Sequence, residues 1–257
     1  MNVGVQQQID WGDWLRRWDA QQVGYVPERE ARFTAMFDAL AELLPTSFVA
    51  LDLACGPGSI SQRLLERFPD AQAIAVDIDP VILAIGRGAL GTVAGRLRWI
   101  EADLASPDWV EGLGETELDA VLSTTALHWL EPEPLRRVYH DLARLLRPGG
   151  LFLNGDHMSY GAALPTFARL SQQALAVDRR HLRRARHRDG GAVVGCVDLG
   201  ARIRTAADPA GRALRGENAA RVTPGFDVHV ETLREAGFRE VETIWQVLSS
   251  RVLLAVR

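Results

Sequence analysis

The chain predicts an α/β fold, a mostly parallel sheet with helices on both faces, and three observations carry that prediction. Apolar runs of strand length recur at about 48–54, 72–77, 97–101, 119–125 and 150–155. Helix-type patterns fall between them, near 59–68, 80–90 and 134–147. The first run ends in an acidic residue and a tight glycine turn, Asp52-Leu53-Ala54-Cys55-Gly56-Pro57-Gly58. Strands alternating with helices build right-handed βαβ units, whose sheet is covered on both faces and whose ligands sit at the carboxyl ends of the strands.

The first strand and its turn are expected to form a nucleotide-cofactor site, because glycines let the backbone turn sharply and the helix from Ser59 onward points its N-terminal amides at a ligand. The second strand ends in Asp77, 25 residues after Asp52. That spacing suits strand, helix and strand, and a carboxylate at the tip of the second strand can accept both ribose hydroxyls. The dinucleotide fingerprint fits poorly, since Gly56-Pro57-Gly58-Ser59-Ile60-Ser61 ends in Ser where Gly or Ala is wanted. The third strand runs into Ala102, Asp103 and Leu104, placed to hold an adenine by side-chain and backbone hydrogen bonds. The fourth run leads into Thr124-Thr125-Ala126-Leu127-His128-Trp129 and the fifth into Asp156 and His157. After Leu233 the pattern reads as a helix end and two strands, at about 239–248 and 250–256.

Two segments lie outside this alternation. Within residues 1–45, Trp11, Trp14 and Trp18 share one helical face, and a helical pattern follows through Phe33, Met36, Phe37 and Leu40. The tryptophans either pack their helix on the sheet or wall the cleft. Residues 156–228 contain an arginine-dense stretch from Arg179 to Arg188, with His181 and His187, and a glycine-rich run to Gly225. That stretch reads as a solvated helix face, or else as a site for an anionic substrate, an acidic carrier protein or a dimer contact.

In order and spacing these motifs resemble a class I S-adenosylmethionine-dependent methyltransferase of the small-molecule type. The matching residues are Asp52, Gly56 and Gly58, then Asp77, Asp103, the run Asp119 to Leu130, Leu145 to Gly150, and Leu233 to Phe238. One departure is Ala54, where many members have Gly. The resemblance implies a Rossmann-like fold with a seven-stranded sheet whose last strand runs antiparallel, and it assigns Ala54, Ile78 and Thr124 to the cofactor site with the residues above. It divides the chain into an N-terminal helical lid (1–45), a cofactor-binding core (46–155), an inserted cap (156–228) and the end of the core (229–257). Tyr25 or Arg29, on the lid, could meet the cofactor's methionine carboxylate, to which a guanidinium is matched.

Methyl transfer from a sulfonium is an in-line displacement that needs alignment of the acceptor, exclusion of water and no metal. A hydroxyl acceptor also needs its proton removed, and a histidine titrating near neutrality suits that work. His128 is the first candidate, and His157 and His229 are expected at the cleft rim. The acceptor is expected to be a small molecule, free or carrier-tethered, because the fourth strand lacks the N/D-P-P-Y/F/W turn of enzymes that methylate exocyclic amines. The region Ala126 to Leu130 is most similar to enzymes that esterify small carboxylic acids, such as trans-aconitate methyltransferases, and to bacterial natural-product methyltransferases. The reading is therefore small-molecule O-methylation in secondary metabolism, with S-adenosylhomocysteine as product. Beside it stand a non-methylating use of the same cofactor (cyclisation, elimination or decarboxylation) and a non-catalytic binding module.

Composition agrees. A net charge of −4 lacks the basic excess of a general nucleic-acid binder, and every one of the 29 basic residues is arginine. No apolar segment reaches the length of a membrane span, and the amino terminus lacks a basic region followed by an apolar run, so a cytoplasmic protein is expected. Cys55 and Cys196 form no disulfide-like or metal-like set.

Overall fold

In the computed structural model, which describes residues 9–26, 28–115, 117–174 and 224–257, a single seven-stranded sheet has the order β3-β2-β1-β4-β5-β7-β6. Its strands are β1 (Val49–Leu53), β2 (Gln72–Asp77), β3 (Leu97–Glu101), β4 (Leu118–Thr124), β5 (Leu146–His157), β6 (Glu240–Val247) and β7 (Ser250–Val256). The first five are parallel neighbours, and β7 runs antiparallel to both β5 and β6. The order reverses beside β1, whose neighbours are β2 and β4, and this is the position where open α/β sheets leave a crevice at the strands' carboxyl ends.

The helices are α1 (Trp11–Tyr25), α2 (Arg29–Leu43), α3 (Ser59–Arg67), α4 (Pro80–Leu90), α5 (Pro132–Leu145) and α6 (Phe226–Ala236). Proline at the first helical position starts both α4 and α5, where its missing N–H costs nothing, and Asp79 caps α4 by accepting from the amides of Val81 and Ile82. The sheet is packed on two sides. Leu51, Leu53, Val121 and Phe152 face Leu135, Val138, Tyr139 and Leu142 of α5, with Leu233 of α6 in the same cluster. On the other side Ala50, Leu122, Leu151 and Leu153 face Phe33, Met36, Phe37 and Leu40 of α2. Each fully buried side chain of this size contributes roughly 1.5–3 kcal/mol, so those four outweigh the several kcal/mol spent on burying Arg32 in the same helix.

The strands and helices lie within two residues of the sequence expectation, with one difference of register. Helix α5 ends at Leu145, and Leu146 already pairs with Leu118; the ladder then skips to Leu151 opposite Ala120, so Arg147-Pro148-Gly149-Gly150 forms an irregularity inside β5. Arg147 fastens it, its Nε donating to Asp119 Oδ1 at 2.6 Å. The arginine-dense stretch 179–188, His181, His187, Cys196 and the glycine-rich run up to residue 223 lie outside the described residues. Residues 165–174 are helical, and Ser159 bridges Gly225, bringing the two ends of the insertion together. Among the described residues no helix is long and apolar enough to cross a membrane.

Candidate active site

The turn after β1 is fixed from beneath by Asp52 and from the side by Asp77. Asp52 Oδ2 accepts from the amide and hydroxyl of Ser61, at 2.9 and 2.7 Å, which holds the first turn of α3. Asp77 Oδ2 accepts from the Gly56 amide at 2.8 Å, and its Oδ1 from the Asp79 amide at 2.9 Å. Asp77 therefore shapes the loop.

The two glycines differ in their reasons. Gly56 has φ of +56°, and a Cβ on it would have ordinary contact with Trp18. Gly58 has φ of +84°, and a Cβ on it would lie 2.5 Å from the Trp99 ring. Glycine at 58 is thus required by the backbone conformation of the sharp turn, as expected, and also by a tryptophan packed beneath the loop. Ala54 is left-handed with φ of +55°, the conformation for which the resemblance favours Gly at this position.

Helix α1 lies along α4, with Trp11 packed on α4 and Trp18 on the loop after β1. Trp11 sits so closely on Gly88 of α4 that a Cβ would come within 2.3 Å of its ring, and Trp18 lies over Gly56 and Ile82. Asp19, which the sequence reading did not single out, ties α1 to its surroundings: it accepts from Ser59 Oγ at 2.8 Å and pairs with Arg29 and Arg63. Arg29 is buried in this network over the Phe33 ring, its guanidinium committed to Asp19. The side chain of Tyr25 lies outside the described residues.

Around the crevice, Ile78 is an exposed apolar residue at the tip of β2. Ala102 donates its amide to Asp77 O, Asp103 is exposed with Oδ1 accepting from the Ala105 amide, and Leu104 is buried. Thr124 closes β4 with its hydroxyl on Gly155 O at 2.9 Å. Thr125 has φ of +53°, a strained conformation for a β-branched residue, placed between the core and the first candidate base.

The expected histidines fare differently. His128, in a short 3-10 turn (Leu127–Trp129), directs Nδ1 at Asp156 Oδ1 at 2.7 Å, and its amide donates to Asp156 Oδ2 at 3.3 Å. Burial pushes the fully enclosed Asp156 up, but hydrogen bonds from His128 and His157 outweigh it and hold the carboxyl below its ordinary value. An ionised Asp156 accepts a hydrogen bond from Nδ1–H, which keeps the proton on that nitrogen and leaves Nε2 as the acceptor, the tautomer a general base needs. His157 donates its amide to Asp156, while strand alternation places its side chain on the α2 side, away from His128. His229 corrects the expectation of a rim residue: it is fully buried, its Nδ1 meets Tyr139 Oη at 2.5 Å, and burial pushes its pKa down to about 4. A neutral, enclosed histidine of this kind holds α6 on α5.

Two acids of the crevice have no ion-pair partner among the described residues. Asp52 is 2 % exposed, its Oδ1 has no hydrogen-bond partner, and burial, with Asp77 as like-charged neighbour, raises its pKa to about 7. Burial raises Asp77 as well. No arginine or histidine among the described residues forms an ion pair with either. A site that gathers carboxylates and withholds counter-ions is complementary to a cationic ligand.

Residues 50–150 match the family model described as a methyltransferase domain. The core is a class I methyltransferase domain. Trans-aconitate 2-methyltransferase of Azoarcus sp. strain BH72 is 33% identical over 135 residues, covering 52% of this chain and 48% of that protein; the chain thus spans about half the length of such relatives. Among solved structures, an O-methyltransferase described as putative from Nostoc punctiforme aligns with a TM-score of 0.59 at 14% identity, covering 99% of this chain and 63% of that one. Human N-acetylserotonin methyltransferase in complex with its cofactor aligns with a TM-score of 0.55 at 16% identity, covering 96% and 56%. These two establish the shared fold. The family's cofactor is S-adenosylmethionine, and the crevice fits it: its sulfonium and ammonium supply the positive charge that Asp52 and Asp77 lack. Asp77 would hold the ribose, Ile78, Ala102, Asp103 and Leu104 the adenine, and the loop from Ala54 to Gly58 the methionine part.

Proposed function

We propose that the protein transfers the methyl group of S-adenosylmethionine to a hydroxyl oxygen of a small-molecule acceptor. The observation that carries the choice of oxygen is the His128–Asp156 pair at the carboxyl ends of β4 and β5. A carboxylate acceptor has already lost its proton at neutral pH, and an oriented base would have nothing to remove from it. A hydroxyl acceptor has a proton to lose, and His128 Nε2, kept free by the Nδ1–Asp156 contact, is the group that takes it.

The cofactor, when bound, supplies an electrophilic methyl on sulfur. Around it this chain aligns and shields. Asp156 fixes the His128 ring and stabilises its protonated form. Trp129, 55% exposed beside His128, is an apolar wall for the acceptor. Helix α1, sealed over the loop by Trp18 and Asp19, serves as the lid. The test is incubation with S-adenosylmethionine and hydroxylated acceptors, scored by S-adenosylhomocysteine release. His128→Ala should lower turnover by roughly 100-fold or more and leave cofactor affinity unchanged. Unchanged turnover in that variant would remove His128 from the chemistry.

A further inference from the structure

On the same edge of the sheet, one arginine is buried with its Nε lacking a hydrogen bond among the described residues. Arg251 lies opposite Asp156 in the antiparallel ladder of β5 and β7, so the two side chains emerge on one face, a strand's width apart. Arg251 is 7% exposed, and its guanidinium carbon lies 4.4 Å from the Phe226 ring centroid and 4.9 Å from that of Tyr160. The clamp is itself held in place. Tyr160 Oη accepts from Gln246 Nε2 at 3.1 Å, and its ring packs on Phe167. Yet Nε of Arg251 is buried without a hydrogen bond, and the guanidinium makes no ion pair with any described residue. Asp156, the acid across the ladder, is occupied by His128 and by the amides of His128 and His157.

A guanidinium keeps its charge at any ordinary pH and carries five N–H donors in one plane. Aromatic faces attract the charge by cation–π interaction but accept none of those in-plane hydrogen bonds. Beneath the sheet a second arginine strengthens the positive field: fully buried Arg32 donates only to uncharged acceptors, Ser250 Oγ at 2.6 and 2.9 Å and Gly155 O at 3.3 Å. Of the donors of Arg251, buried Nε is thus unused. A planar oxyanion completes such a group.

We infer that Arg251 is the anchor for a carboxylate of the acceptor, and that the substrate class is the hydroxy acids. This deepens the reading of the site as an O-methyltransferase and rests on it. The anchored carboxylate is distinct from the oxygen that is methylated, since pairing with a guanidinium withdraws electron density from a nucleophile. Arg251 is thus a specificity determinant, and His128, two strands away after β4, serves the hydroxyl at the other end of the molecule. In the step, the acceptor's O–H proton passes to His128 Nε2, the O–CH3 bond forms, and the S–CH3 bond breaks with its electron pair kept by sulfur.

The experiment compares hydroxybenzoates and hydroxyphenylacetates with their primary amides, which keep shape and hydroxyl but lack the charge, as acceptors for the wild-type protein. S-Adenosylhomocysteine release is measured, together with calorimetric affinity for S-adenosylmethionine. The expected result is a preference for acids of roughly 100-fold or more in kcat/KM, because a site built to pair a charge rejects the uncharged analogue. In Arg251→Gln that preference should collapse, mostly through KM, with cofactor affinity within about twofold of wild type; Arg251→Lys should restore part of it. Equal turnover of acids and amides by wild type, or an undiminished preference in folded Arg251→Gln, overturns the anchor and leaves O-methylation standing. Cofactor binding without turnover of any acid or amide overturns both.

Discussion

Replacing Asp52 by Asn should make the protein more stable and its cofactor binding weaker, and the size of the first effect follows from the burial of that carboxyl. Asp52 is enclosed with no ion-pair partner among the described residues; burial, and then the like charge of Asp77, raise its pKa from 3.8 to about 7 against the opposing hydrogen bonds from Ser61 and the more distant charge of Arg29. The folded state thus holds a proton that the unfolded chain releases near pH 4, so stability from this group is full at acid pH and falls as pH rises to 7. At about 1.4 kcal/mol per unit over roughly three units, ionised Asp52 costs about 4 kcal/mol at pH 8. Asparagine keeps an oxygen for the Ser61 amide and hydroxyl, and it leaves one buried polar atom unpartnered just as the protonated acid does. The variant should therefore match wild type near pH 4 and exceed it by up to about 4 kcal/mol at pH 8, or roughly 10 °C in Tm. Urea unfolding at a series of pH values reads the gap directly. A gap that stays flat with pH, or an Asn variant less stable than wild type at pH 8, refutes the reasoning. The retained cost is then a functional one: the acid is kept for a cationic ligand, and Asp52→Asn should bind S-adenosylmethionine roughly 10-fold to 100-fold more weakly.

Other predictions follow from the same geometry. Binding of a cation draws the Asp52 proton off, so wild-type affinity for S-adenosylmethionine should rise between pH 6 and 8, by at most tenfold per unit, and calorimetry in buffers of different ionisation enthalpy should show the released proton. Gly58→Ala should destabilise by about 3 kcal/mol or more, and Trp99→Leu should recover part of that loss in a double-mutant cycle read by urea unfolding, because the clash is with that ring. Asp156→Asn should cut turnover with cofactor affinity unchanged, since the carboxylate acts through the His128 ring; its pH–rate profile, compared with wild type, separates this role from a general loss of fold. Asp77→Ala removes both a ribose acceptor and the group holding the Gly56 amide, whereas Asp77→Asn keeps an acceptor for that amide, so calorimetry should show weaker binding in the first than in the second.

The parts of this molecule that can be read from sequence are those that repeat locally. Apolar runs ending in Asp52, Asp77 and Asp103 mark three strand tips, because strand, turn and cap are each decided within a few residues. What escapes such reading is set by contacts between distant segments. The His128–Asp156 pair joins residues 28 apart, and nothing local distinguishes Asp156 from a solvent-facing acid. His229 reads as a rim histidine until α6 is seen to bury it against Tyr139. Arg32 and Arg251 look like ordinary surface charges, and only the packing of α2 on β7, and of Phe226 and Tyr160 around a strand end, takes them out of water. Gly58 was legible as a glycine turn, but the Trp99 that requires it arrives from β3.

The central claim, methyl transfer to a hydroxyl at the His128 end of the crevice, is tested most directly by mass spectrometry of acceptor and cofactor from one reaction with wild-type protein. The account predicts a product heavier than the acceptor by one CH2 on oxygen, formed with an equal amount of S-adenosylhomocysteine. An acceptor consumed while S-adenosylmethionine is bound and left intact would contradict it.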